Sequence, residues 1–341
     1  MKQEQHIDDA QPASVEEHFK MIMEDRSTID PEYVEVTPKD LPFWFDEKLF
    51  RKGQEFYVKN LLAFGVASFT GLISILCVPD IIEVLNYTKK SETHLSSFKR
   101  YSATLLLMYE LYSSDMLKPD SKWFKAVNAV RWRHAIVSKR RVEQGLNSIY
   151  QKDMAITQFG FLGFSLIAPH RVGLGHCTHE QQAGFNHLWR VTGHLLDISD
   201  RMNIARRNVA ETTELCRRIA ADVLNKRIQN SSPDFVKLAS NAINGFWYVD
   251  FNLDADAFFE LTYSLANAQN PKPLGWYSTY NYKQREWSLY LCSAPYIGVV
   301  IRTWFNYFLM AVYWMLQNYP ILAWMKFGKK ESQFCVYPKI K

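Results

Sequence analysis

The stretch from Trp123 to Glu143, WFKAVNAVRWRHAIVSKRRVE, admits one regular local structure, a helix. Trp123, Val127, Val130, His134 and Val137 recur at helical spacing and form one apolar stripe, on which His134 is the single titratable side chain. Lys125, Arg131, Arg133, Lys139 and Arg140 flank or oppose that stripe, so one imidazole turns inward while a basic shell faces solvent or an anion. Such an imidazole is either a core histidine bonded to a backbone carbonyl or an axial ligand of buried haem iron, which takes neutral imidazole from an apolar wall. Upstream, Arg100 and Thr104 stand four apart on one face of a second helix, Ser97 to Tyr112. They read as a surface arginine with a helix-tolerated threonine, or as a cation and a hydroxyl aimed together at a haem or its distal pocket.

Arg100-Tyr-Ser-Ala-Thr104, followed some thirty residues on by Arg131-Trp-Arg-His134-Ala135, resembles the rubber oxygenase (latex-clearing protein) and endoplasmic-reticulum-bound oxygenase family. Gln151-Lys-Asp153-Met-Ala-Ile-Thr157 resembles the helix start that follows the family's ligand helix. His187 to His194, with Asp200-Arg-Met-Asn203, looks like its animal branch, and the likeness spans roughly residues 45 to 325. It implies haem b with its iron on His134, contacts to the cofactor from Arg100 and Arg131, and a catalytic pocket shaped by Arg100 and Thr104. It also implies a hydrophobic isoprenoid or lipid substrate whose carbon-carbon double bond is cleaved or oxidised with dioxygen. A membrane-associated location, the endoplasmic reticulum with a cytosolic face, follows from the same likeness, with a cytoplasmic one as the alternative. Two positions depart from the family: Ala103 stands where rubber oxygenases carry a distal lysine, and Ser138 where they carry an arginine four residues after the ligand histidine.

With 341 residues, 48% of them hydrophobic, the chain can bury a large core in one domain. The net charge of +5 is spread thinly, which excludes a nucleic-acid-binding field, and no basic run carries interleaved aromatics. Cys77, Cys177, Cys216, Cys292 and Cys335 are odd in number and lack C-x-x-C spacing, which argues against a disulfide framework and a structural zinc site. The loop Pro169 to His179 gathers His170, His176, Cys177 and His179 without a second half-site, and reads as a solvated loop. His187 and His194 share a helix face about 10 Å apart along the axis and cannot chelate one metal. His194 is placed to pair with Asp197 or Asp200.

No alternating run competes for a sheet, so the expected fold is all-α: a single multi-helix bundle with a buried haem pocket. Residues 1–40 are polar and acidic, expected to be disordered apart from a short helix over 15–23. Residues 41–328 form the catalytic-type domain and 329–341 a basic tail. Asn60 to Pro79 is uncharged over twenty positions, long enough for a bilayer, but its glycines and hydroxyls fit a buried helix or helix pair as well. Residues 303–325 lack charge, carry many Trp and Tyr, and are bounded by Arg302 and Lys326. That pattern fits a helix lying in one leaflet or a core helix of the bundle. A non-catalytic membrane-associated helical protein of the same fold, binding lipid or a protein partner, is the alternative to the oxygenase.

Overall fold

The computed structural model describes residues 5–118 and 120–339, and among these every regular element is helical; the one β contact is an isolated bridge, Thr28 to Tyr150. The all-α expectation holds. In chain order the helices are α1 (Ile7–Ala10), α2 (Val15–Glu24), α3 (Glu47–Val58), α4 (Leu61–Ile75), α5 (Pro79–Thr88), α6 (His94–Ser113), α7 (Lys122–Glu143) and α8 (Gln151–Ile167). There follow α9 (His179–Leu195), α10 (Val209–Ile219), α11 (Lys226–Gln229), α12 (Pro233–Phe246), α13 (Ala255–Leu265), α14 (Trp276–Ser293), α15 (Ile297–Asn318) and α16 (Ile321–Phe327). Local chemistry sets many of these boundaries. Ser14, Thr93 and Thr178 open α2, α6 and α9 with reciprocal side-chain caps, and Gly145, at φ +73°, follows the end of α7 in a conformation that favours glycine. α10 and α11 are joined by a π-helical turn, Ala220–Asn225.

The core is built around α4, which is apolar on every side and buried along most of its length. It packs on α8 where Gly71 meets Gly160, and a Cβ on Gly71 would run into the Gly160 carbonyl. α3 crosses α9 at a similar contact between Gly53 and Gly184. With α4 thus enclosed by protein, Asn60 to Pro79 is a buried helix and not a membrane span.

Three expectations are corrected. The segment 1–40 is ordered in its described part, because anchors on the folded body hold it: Ile7 and Ile22 are fully buried, Gln11 donates to the Asn203 carbonyl at 2.8 Å, and Arg206 donates to the carbonyls of Pro12 and Ala13. The basic tail is docked, with Phe334 edge-on to Phe98 at 5.7 Å and Arg133 donating to the carbonyls of Cys335 and Val336, each at 2.9 Å. The core-helix reading of 303–325 fails: in α15 only Gly298, Tyr313 and Leu316 are buried. α15 is also the helix that is by itself long and apolar enough to cross a membrane, by length and composition.

Candidate functional site

α6 and α7 form a hairpin that brings Arg100, Arg133 and His134 together, with Lys90 approaching from the turn before α6. His134 makes no hydrogen bond among the described residues, and its Nδ1 is buried without a partner. Burial, reinforced by Arg100, Arg133 and Arg131, pushes its proton affinity down to about 4, so the ring is neutral at physiological pH. That rules out the core-histidine alternative in its simple form, because no carbonyl holds the ring. Burial likewise lowers the proton affinities of Arg100, Arg133 and Lys90, and among the described residues no carboxylate forms an ion pair with any of the three. Arg100 has one polar contact, Nη1 to Thr88 Oγ1 at 3.5 Å, the outer edge of a hydrogen bond.

Arg131 is engaged elsewhere. It donates to the carbonyls of Val34 at 3.2 Å and Leu195 at 2.9 Å, and lies 3.7 Å from the Asp197 carboxylate. Its side chain therefore ties α7 to the Ile29–Val36 segment and to the end of α9, and is not free to take a ligand's charge.

Arg100 and Thr104, expected to aim at one small volume, diverge. Thr104 donates to the Arg100 carbonyl at 3.1 Å and lines a cavity of about 550 Å³ that Arg100 does not line. Shared helical spacing aligns their Cβ atoms, but the long arginine stem carries its charge away to Thr88 and His134. The cavity lies between α4, α6, α15 and the segment joining α12 to α13. Its walls are mainly apolar and aromatic, including Tyr57, Phe64, Phe69, Met108, Phe305 and Leu309, and Asp250, Gln284 and Arg285 supply a polar edge. Arg285 and Asp250 pair at 3.3 Å there. No single motif marked this cavity in the sequence, because its walls come from six separate segments.

The sequence resemblance implies haem, and the donors at His134 suit it: a neutral imidazole with a buried unpartnered nitrogen, beside cations that lack carboxylate partners. The space does not. The hollow beside His134, under Tyr33, Val34 and Leu196, measures about 10 Å³, room for about one water molecule. The large cavity offers neither histidine nor cysteine. The described conformation therefore does not seat a porphyrin on His134, and the expected buried haem pocket is corrected to a closed one. Ala103, where rubber oxygenases carry the distal lysine, is buried at 5% exposure with no polar atom to offer.

Among other titratable groups, His194 Nδ1 pairs with Asp200 at 2.6 Å, as its spacing allowed, and His187 Nε2 accepts from the Asp46 backbone at 3.0 Å. Both are structural links between α9 and its neighbours. Asp153 is a buried group whose role the sequence did not mark: both its oxygens lack partners, and burial, then Asp80, lifts its proton affinity to about 7.

Comparison with solved structures gives one informative match. The fold resembles that of latex clearing protein. Superposed on latex clearing protein in its closed state, the chain gives a TM-score of 0.58 at 15% identity, over 81% of this chain and 76% of that one. At that identity the likeness to latex clearing protein shows a shared helical fold and nothing finer. No family model and no curated protein sequence matches the chain.

Proposed function

We propose that the chain is an oxygenase-like protein that holds a hydrophobic isoprenoid or lipid chain in the cavity between α4, α6 and α15. The observation that carries this reading is the cavity itself: about 550 Å³, walled by aliphatic and aromatic side chains, with polar groups confined to one edge. Ligand pockets of about 300 to 1,000 Å³ have this character. The apolar walls exclude water from a bound chain, while Gln284 and Arg285 offer hydrogen bonds to its polar end. Thr104, whose proton is committed to the Arg100 carbonyl, presents only oxygen lone pairs to the cavity.

The oxygenase half of the proposal is supported by the fold likeness to latex clearing protein and by the neutral, unpartnered His134. It assigns haem b to His134 and dioxygen as co-substrate, and it requires the Ile29–Val34 segment or the α6–α7 pair to move before a macrocycle can enter. The second reading, a non-catalytic lipid-binding protein of the same fold, is favoured by that closed hollow and by alanine at position 103.

One preparation separates them. Full-length protein expressed with haem precursor, and its His134→Ala variant, are compared by absorption spectroscopy and by native mass spectrometry of bound lipid. A Soret band lost in the variant, together with dioxygen consumption on an unsaturated isoprenoid, supports the oxygenase. Bound lipid without a Soret band supports the carrier. Absence of both, in folded protein offered isoprenoid and unsaturated fatty acid, overturns the proposal.

A further inference from the structure

From Trp287 to Met325 the chain carries a single charge, Arg302, and that guanidinium folds back onto the Cys292 carbonyl. Most of the large apolar side chains of this region are not used to fill the core. Trp276, Trp287 and Tyr290 on α14, and Val300, Trp304 and Tyr307 on α15, are each more than 60% exposed. Single exposed apolar residues need no explanation, but a continuous face of this size on one side of a protein marks a surface that is covered by something.

The composition of the face selects its partner. Trp and Tyr dominate it, the residues that seat at the boundary between acyl chains and headgroups. Lys326, Lys329 and Lys330 close it at one end, with Lys329 laid over the Trp324 ring at 5.2 Å, and no acidic residue falls between Trp287 and Met325. Cations at the edge of an aromatic apolar face complement an anionic bilayer.

The fold also limits the depth. At 22 residues α15 is about 33 Å long, enough to span a bilayer. Yet it is held along one side by the bundle: Asn306 accepts from the Leu61 backbone at 3.0 Å, and Tyr313 packs edge-on to Tyr109 at 5.1 Å. A helix with one side packed against the bundle cannot be surrounded by lipid. It can lie in one leaflet.

We infer that the outer face of α14 to α16 docks onto a bilayer containing anionic lipid and enters one leaflet only. The inner side of α15, through Phe305, Leu309 and Val312, lines the 550 Å³ cavity. One helix is thus the wall between cavity and leaflet, and the cavity takes its occupant from the membrane phase. This last step rests on the lipid-binding half of the proposed function; the docking does not.

The test uses full-length protein and two vesicle compositions, phosphatidylcholine alone and phosphatidylcholine with phosphatidylserine. Sedimentation should recover the protein with the mixed vesicles, and salt should weaken that recovery. Tryptophan fluorescence should shift to the blue and be quenched by lipids brominated near the headgroup more than by those brominated at the chain end. Val300→Glu with Trp304→Glu, at exposed positions that leave the core intact, should lower vesicle affinity about tenfold or more. Lys326, Lys329 and Lys330 changed to Glu should remove the preference for phosphatidylserine. A protein that stays in the supernatant, or a double variant that binds as well as the parent, overturns the inference. So does a stable dimer by light scattering that the double variant splits, because the face is then covered by a second copy. None of these outcomes depends on cavity occupancy, so failure of docking is distinguishable from failure of lipid binding in the cavity.

Discussion

The Thr104 hydroxyl donates to the Arg100 carbonyl one turn back, at 3.1 Å, yet the two side chains serve different surroundings: Thr104 borders the apolar cavity, and the Arg100 guanidinium joins the cationic group around His134. Neighbouring positions on one helix thus border two chemically different environments. A ligand in the cavity meets oxygen lone pairs and ring edges at Thr104, while an anion at Arg100 meets the cationic group.

Thr104→Val should consequently be mild. It removes a hydroxyl satisfied by its own helix, and stability should change by less than about 1 kcal/mol. Thr104→Trp projects a ring into the cavity and should displace a bound lipid chain while the fold persists. Chemical denaturation and native mass spectrometry of the two variants check both halves.

Asp153 should make the protein less stable as pH rises from about 4 to about 7. Its folded-state proton affinity, lifted to about 7 by burial and then by Asp80, exceeds the ordinary 3.8 of the unfolded chain, so over that interval the unfolded state sheds its proton first. The protonated form's advantage is present at low pH and is gone above about 7. Asp153→Asn keeps a neutral group there and should gain roughly 2 to 4 kcal/mol over the parent at pH 8, with little difference at pH 4. Urea denaturation of both proteins at the two pH values measures this.

His18 has the opposite sign. Burial, then the neighbouring Arg206, pushes its proton affinity down to about 3, while the unfolded chain takes up a proton near 6.5. Stability tied to neutral His18 is complete above 6.5 and drains away as the pH falls from there toward 3. The stability gap between the parent and His18→Gln should therefore shrink by about 2 kcal/mol between pH 7.5 and pH 5. A gap that stays constant over that range contradicts a neutral buried ring.

Much of the helical framework was legible because its signals are local. Thr178 with Gln181 announces α9, Pro233 announces α12, and the apolar period runs through α7. What escaped was non-local. Ile7 and Ile22 look like stray apolar residues in an acidic segment until Gln11 reaches Asn203 and Arg206 reaches Pro12. α14 escaped because its aromatic residues Trp276, Tyr280, Trp287 and Tyr290 line an exposed outer face, so a search for an inward face passes over it. At the site, spacing placed Arg100 and Thr104 on one helix face, but spacing carries no information about how far an arginine stem reaches. The 10 Å³ hollow at His134 depends on Tyr33 and Val34, almost a hundred residues upstream, and no pattern around the histidine encodes it.

Arg100→Leu is the most informative single change at the site. Arg100 lies with Lys90, Arg133 and His134, no carboxylate pairs with it, and its one polar contact is the 3.5 Å approach to Thr88. A half-buried cation in that position costs free energy unless an anion is bound, so in protein without ligand its removal should leave stability unchanged or raise it by about 1 kcal/mol. It should also lift the proton affinity of His134 from about 4 toward the ordinary 6.5, because Arg100 is the largest charge effect on that ring. Lys99→Leu, turned about 100° around the helix, should leave the His134 titration where it is. Thermal unfolding and histidine proton resonances followed over pH read the two effects separately. Under the proposed assignment of haem to His134, adding hemin should reverse the comparison, since an anion held by Arg100 would stabilise the parent and not Arg100→Leu. A loss of more than about 2 kcal/mol in ligand-free Arg100→Leu would show that the guanidinium is already paired, and the cationic group at His134 would have to be redrawn around that partner.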